Sequence, residues 1–129
     1  ETKLRELIVF LSRKHSLVLE PKGAHFLKLS ELVIYMEQNL KENLRFEQLA
    51  ELANMSSTSL RRAFQHSFSC SPMGYLQKLR IQKAMLLLAS PDLSITEIAY
   101  KIGYNDSSYF ARVFKRETGE SPKVFRKRH

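Results

Sequence analysis

Apolar residues recur at three- and four-residue intervals along almost the whole chain, the spacing of helices with one buried face. Leu4, Leu7, Ile8 and Leu11 predict an amphipathic helix over residues 2–14. Pro and Gly in "LEPKGAH" (Leu19 to His25) then predict a linker. Ser30 is suited to cap a helix to about Leu40, with Leu32, Val33, Met36 and Leu40 inward. Helices over Phe46–Ala53 and Ser57–Phe68 follow. Ser71-Pro72 opens a longer helix through Leu76, Leu79, Ala84 and Leu87 that stops before Pro91. Ser94 and Glu97 form a capping box for a short helix to about Ile102. Asp106 caps a helix over Ser107–Glu117, and Ser121-Pro122 opens a last short one. No two-residue alternation is present, so the expected class is all-α.

The second half repeats the first. "LAELANMSSTSLRRAFQHSFSCSP" (Leu49 to Pro72) aligns with "IAYKIGYNDSSYFARVFKRETGESP" (Ile98 to Pro122), the latter carrying one extra residue in its turn. Leu49 pairs with Ile98, Ala50 with Ala99, Leu60 with Phe110, Arg62 with Arg112 and Phe64 with Phe114. Ala50 and Ala99 fit a close crossing of two helices. Asn54 and Gly103 tolerate the left-handed backbone of a helix end. Ser56 and Asp106 are N-caps, and Leu60/Phe64 and Phe110/Phe114 are inward i, i+4 pairs. Helix, tight turn, helix with an apolar seam is a helix-turn-helix unit.

Charge changes the picture from architecture to partner. The 129 residues carry 21 Lys+Arg against 13 Asp+Glu, a net of +8. Seven of the bases fall in residues 112–129. Such a field favours polyanions, nucleic acid first and an acidic membrane surface second. No apolar run approaches the ~20 residues of a membrane span, and no signal-peptide pattern opens the chain. The single Cys70 precludes an internal disulfide and fits a reducing compartment. His66 and Cys70 share a helix face but lack a third ligand at suitable spacing, so no metal site is expected. No phosphate loop, nucleophile elbow or paired-carboxylate site argues for an enzyme. A chain beginning at Glu1 is expected to be part of something longer.

On "LAELANMSSTSLRRAF", "LRIQKAMLLL" and above all "ITEIAYKIGYNDSSYFARVFKRETGESP", the chain resembles the DNA-binding domain of the AraC/XylS family of bacterial transcription regulators. The resemblance covers about residues 29–127 and implies two helix-turn-helix subdomains, at 46–67 and 94–117, joined by a connecting helix at 72–90. It makes 20–28 a linker and 1–19 the tail of a missing N-terminal sensor or dimerisation domain. Arg45 departs from the pattern, standing where a Ser or Thr cap is usual. So do Met85 and Leu86, expected to leave an apolar patch toward the missing domain.

In a helix-turn-helix the second helix enters the major groove. With Leu60 and Phe64 inward, the first such helix offers Ser57, Thr58, Arg61, Arg62 and Gln65. With Phe110 and Phe114 inward, the second offers Ser107, Ser108, Tyr109, Arg112 and Lys115. Arg pairs two-pronged with guanine and Gln with adenine. Arg61 and Arg62 either read bases or clamp phosphate, Ser107 and Ser108 either touch DNA or steady the first turn, and Tyr109 is half core. Arg80, Arg116, Lys127 and Arg128 are candidate phosphate contacts, with a helix brace as the alternative for Arg80. A rigid spacer of about 25 Å, plus the widths of its flanking units, places two unlike readers near one DNA turn apart, about 34 Å. The resemblance further implies double-stranded DNA and RNA polymerase as partners, dimerisation of the intact protein, no cofactor, and location in the bacterial cytoplasm on the nucleoid. The rival readings are a non-specific architectural DNA-binding protein and a protein-interaction module.

Overall fold

A computed structural model describes residues 25–129, which fold into seven α-helices. The amphipathic segment expected over residues 2–14 and most of the 20–28 stretch lie outside the described residues. The helices are α1 (Phe26–Gln38), α2 (Phe46–Leu52), α3 (Ser57–Phe68), α4 (Pro72–Leu87), α5 (Ile95–Lys101), α6 (Ser107–Thr118) and α7 (Pro122–Arg128). No strand occurs among the described residues.

One boundary is corrected. Ser30 does not cap α1; the helix begins a turn earlier at Phe26, with Leu29 N–H donating to the His25 carbonyl. Phe26 packs on the core and Leu29 is buried, so the apolar seam through Leu32, Val33 and Met36 extends backward past Ser30. Burial of that seam outweighs a cap lodged in mid-helix. The other starts follow their caps. Ser56, Ser71, Ser94, Asp106 and Ser121 each accept a backbone N–H from the first turn of the helix they open. Ser94 and Glu97 close the full capping box. Ser94 N–H donates to the Glu97 carboxylate and holds its pKa below the usual value. Arg45, at the matching place before α2, makes no side-chain cap.

The core is two clusters that share α4. Leu29 to Leu79 form the first, from α1 through the first half of α4. Ile81 to Phe125 form the second, from the rest of α4 through α7. Tyr75, Leu76 and Leu79 face the first cluster, while Ile81, Ala84 and the following Leu88 face the second. At about 100° per residue these two sets lie on roughly opposite sides of the helix. Sequence periodicity therefore shows no single stripe in α4, because the helix serves one core per half. Met85 packs against the second cluster while Leu86 is exposed, so only Leu86 keeps the exposure expected of that pair.

Two arginines brace the fold, Arg80 between the units and Arg126 within the second. Arg80 donates to the Leu40 carbonyl at 3.0 Å and the Glu42 carbonyl at 2.9 Å. Arg126, on α7, does the same for the end of α4, reaching the carbonyls of Leu88 at 3.1 Å and Ser90 at 3.0 Å. Each satisfies backbone carbonyls in the segment just after a helix, α1 for Arg80 and α4 for Arg126.

Candidate nucleic-acid interface

The two helix-turn-helix units share one plan. In each, an amide of the turn reaches back five residues into the first helix: Met55 N–H to Ala50 O and Tyr104 N–H to Ala99 O, both 3.0 Å. Asn54 (φ 53°) and Gly103 (φ 103°) take the left-handed conformation between them, as the sequence predicts for a helix C-terminus. Ala50 and Ala99 are both buried. The second helices, α3 and α6, bury Leu60 and Phe64, and Phe110 and Phe114, at 0% exposure. They also end alike, at left-handed Ser69 and Gly119.

Burying those pairs turns the opposite faces outward. On α3, Ser57, Thr58, Arg61, Arg62 and Gln65 are all exposed. On α6, Ser108, Tyr109, Arg112 and Lys115 are exposed and Ser107 is half-buried. Two arginines are further constrained. The Arg61 guanidinium lies 4.7 Å over the Phe46 ring, back toward α2. That of Arg112 lies 5.6 Å over Tyr109. Asp106 caps α6 with one carboxylate oxygen accepting from Ser108 N–H at 2.8 Å and Tyr109 N–H at 3.3 Å. Asp106→Ala is expected to cost about 1 kcal/mol of stability, read as a lower urea midpoint with an unchanged slope.

The candidate phosphate contacts are placed unequally. Lys127 is exposed. Arg128 donates to a Glu120 carboxylate oxygen, with His129 on the other at 3.5 Å. Arg116 reaches Glu117 at 3.9 Å and the Gln77 side chain at 3.4 Å. Arg80 has its donors on the Leu40 and Glu42 carbonyls, which is the brace geometry. Burial lowers its pKa, and its guanidinium also lies 5.7 Å over Tyr104. Burial pushes the Tyr104 phenol up to about 12. In the sequence Arg126 is one base of the C-terminal run and Tyr104 one residue of a turn. Their roles depend on which carbonyls and rings lie nearby, and no local spacing encodes that.

A shallow cleft of about 450 Å³ also lies between the units, its lining including Glu37 and Gln38, the three lysines Lys41, Lys83 and Lys101, and the apolar Leu40, Leu87 and Ile102. Among the described residues no cluster of three His, Cys, Asp or Glu has metal-binding geometry, and no helix is long and apolar enough to cross a membrane.

Two helix-turn-helix units on one shared helix, each turning an arginine-bearing face outward, define a domain of the helix-turn-helix class. The family described as "Helix-turn-helix domain" matches residues 49–128. The chain is 35% identical over 126 residues to the HTH-type transcriptional activator RhaS of Salmonella schwarzengrund, covering 98% of this chain and 45% of that protein. It thus spans about half the length of the curated relatives it matches. Its fold is similar to that of an AraC-type transcriptional regulator from Chromobacterium violaceum (TM-score 0.74, 28% identity, 78% of this chain and 90% of that one). It is also similar to the DNA-binding domain of AdpA, a global transcriptional factor solved with a target DNA (TM-score 0.73, 30% identity, 78% and 90%). The chain belongs to the AraC/XylS family, as its C-terminal DNA-binding domain.

Proposed function

We propose that this chain binds double-stranded DNA sequence-specifically within a transcriptional activator, with α3 and α6 in successive major grooves of an asymmetric site. The observation that carries this reading is the pair of matched, capped helices whose outward faces present Arg62 and Arg112. Its similarity to the activator RhaS and to the AdpA domain solved with a target DNA supports it. Because the readers differ in side chains, the two half-sites differ in sequence. Because α4 spans about 24 Å in 16 residues, the DNA bends toward the protein wherever the readers sit closer than one turn. Smooth bending costs on the order of 1–6 kcal/mol. RNA polymerase as partner, an N-terminal sensor domain, dimerisation of the intact protein and a cytoplasmic, nucleoid-bound location belong to the same proposal.

Selection from a random DNA pool tests it. The expected product is one motif with two unlike halves about a helical turn apart. Uniform recovery of sequences identifies a non-specific architectural protein instead, and no recovery identifies a protein-interaction module. Arg112→Ala is expected to lower specific binding by about 1–3 kcal/mol, so that affinities for selected and scrambled DNA converge. Lys127→Ala is expected to lower affinity for every sequence alike and to reduce the salt slope by about one. Gel shifts over a range of salt measure both.

A further inference from the structure

The two readers are matched in position but not in how their arginines are held. Arg112 lies over the ring of Tyr109, three residues earlier on the same face of α6. Tyr109 in turn rests 6.0 Å from Tyr104. Tyr104 is itself fixed: only 7% exposed, 5.5 Å from the buried Phe110 ring, with Arg80 5.7 Å from its centre. Arg80 is anchored on the carbonyls of Leu40 and Glu42. A continuous chain of ring contacts thus runs from the junction of the two units, Arg80, Tyr104, Tyr109, to the exposed guanidinium of Arg112, the two tyrosine rings being tilted at 56°. The first reader lacks this device. The position matching Tyr109 is Ser59, whose hydroxyl is engaged with that of the cap Ser56 at 2.9 Å. The ring of Phe46 holds Arg61, not Arg62. Among the described residues no aromatic ring lies under Arg62.

We infer that Tyr109 is a positioning residue. Its ring, seated on Tyr104, pre-orients the Arg112 guanidinium for two-pronged contact with a base. The second reader therefore contributes sequence discrimination through an ordered arginine, whereas Arg62 is ordered only on binding. A long side chain ordered in advance loses less rotamer freedom when it docks. A cation held over a ring keeps the edge of its guanidinium free for hydrogen bonds, because the attraction acts through the face.

This inference rests on the proposed reading that Arg112 contacts a base, and a double-mutant cycle on the selected DNA site separates the two. Tyr109→Ala is expected to lower the ratio of specific to scrambled-DNA affinity about two- to fivefold, the range of an exposed cation–ring contact. Tyr109→Phe, which keeps the ring, restores the ratio. In an Arg112→Ala background, Tyr109→Ala has no further effect on the ratio. A ratio unmoved by Arg112→Ala overturns the reading of Arg112 itself, and the inference with it. A ratio moved by Arg112→Ala but not by Tyr109→Ala overturns the inference alone. A Tyr109→Ala loss that persists in the Arg112→Ala background also overturns it, because Tyr109 then touches DNA directly. Thermal melting of each variant keeps loss of fold apart from loss of discrimination, since unfolding lowers both affinities and leaves their ratio in place.

Discussion

Gly103→Ala is expected to destabilise the protein by about 3 kcal/mol, and Asn54→Gly, at the matching place in the first unit, by close to nothing. Both positions are left-handed, so strain alone does not separate them. The difference is what lies alongside. A Cβ on Gly103 stands 2.2 Å from the Leu40 carbonyl oxygen and 2.9 Å from the Arg80 guanidinium. The arginine can move, but the carbonyl is backbone of the first unit, in the loop after α1. Relief therefore requires the second turn to back away from that unit, which stretches the bonds from Arg80 to Leu40 and Glu42. Left-handed strain of about 1–3 kcal/mol for a residue with a Cβ adds to this. Asn54 pays only its modest left-handed penalty, which glycine removes. Urea unfolding of the two variants measures the contrast. Equal midpoints would show that the turn near Leu40 has slack.

Phe114→Ala is expected to have the largest effect, about 3–5 kcal/mol. Phe114 is fully buried between the reader and the final helix, 5.8 Å from Phe110 and 5.4 Å, edge-on, from Phe125. Removing its ring leaves a cavity that both neighbours border, and a helix as short as α7 holds few other contacts to close it. Phe125 also carries His129 stacked at 4.4 Å, so the C-terminal turn loosens with it. The expected signature is a drop in the thermal midpoint, with α7 amides exchanging before those of α1. Uniform exchange would mean that the two clusters open as one body.

What was legible in the sequence follows from which forces are local. Caps at Ser56, Ser71, Ser94, Asp106 and Ser121 act within four residues, so the starts of five helices could be read directly. The inward pairs of α3 and α6 were equally plain, since burial at i and i+4 leaves its mark in one turn. With them came the outward faces, which are the remainder once the seam is known. The start of α1 was misread at Ser30 because a serine cap signal competed with a seam beginning at Phe26, and tertiary burial decided. The fates of Arg80, Arg126 and Arg128 were set by carbonyls and a carboxylate elsewhere in the chain or in space. An arginine in a string shows its charge and not its partner. For the same reason Asn54 and Gly103 looked interchangeable, although only one of them abuts the Leu40 carbonyl.

The connecting helix has one consequence for the DNA. Its two halves are seated in different cores, so it offers no joint about which one unit could swivel on the other. A single residue added within it would rotate the second unit by about 100° and advance it 1.5 Å. On the proposed reading, phase between the half-motifs is therefore written into the protein. When a promoter places them one base pair too far apart, the duplex must untwist to meet the reader, because the polypeptide has nowhere to yield.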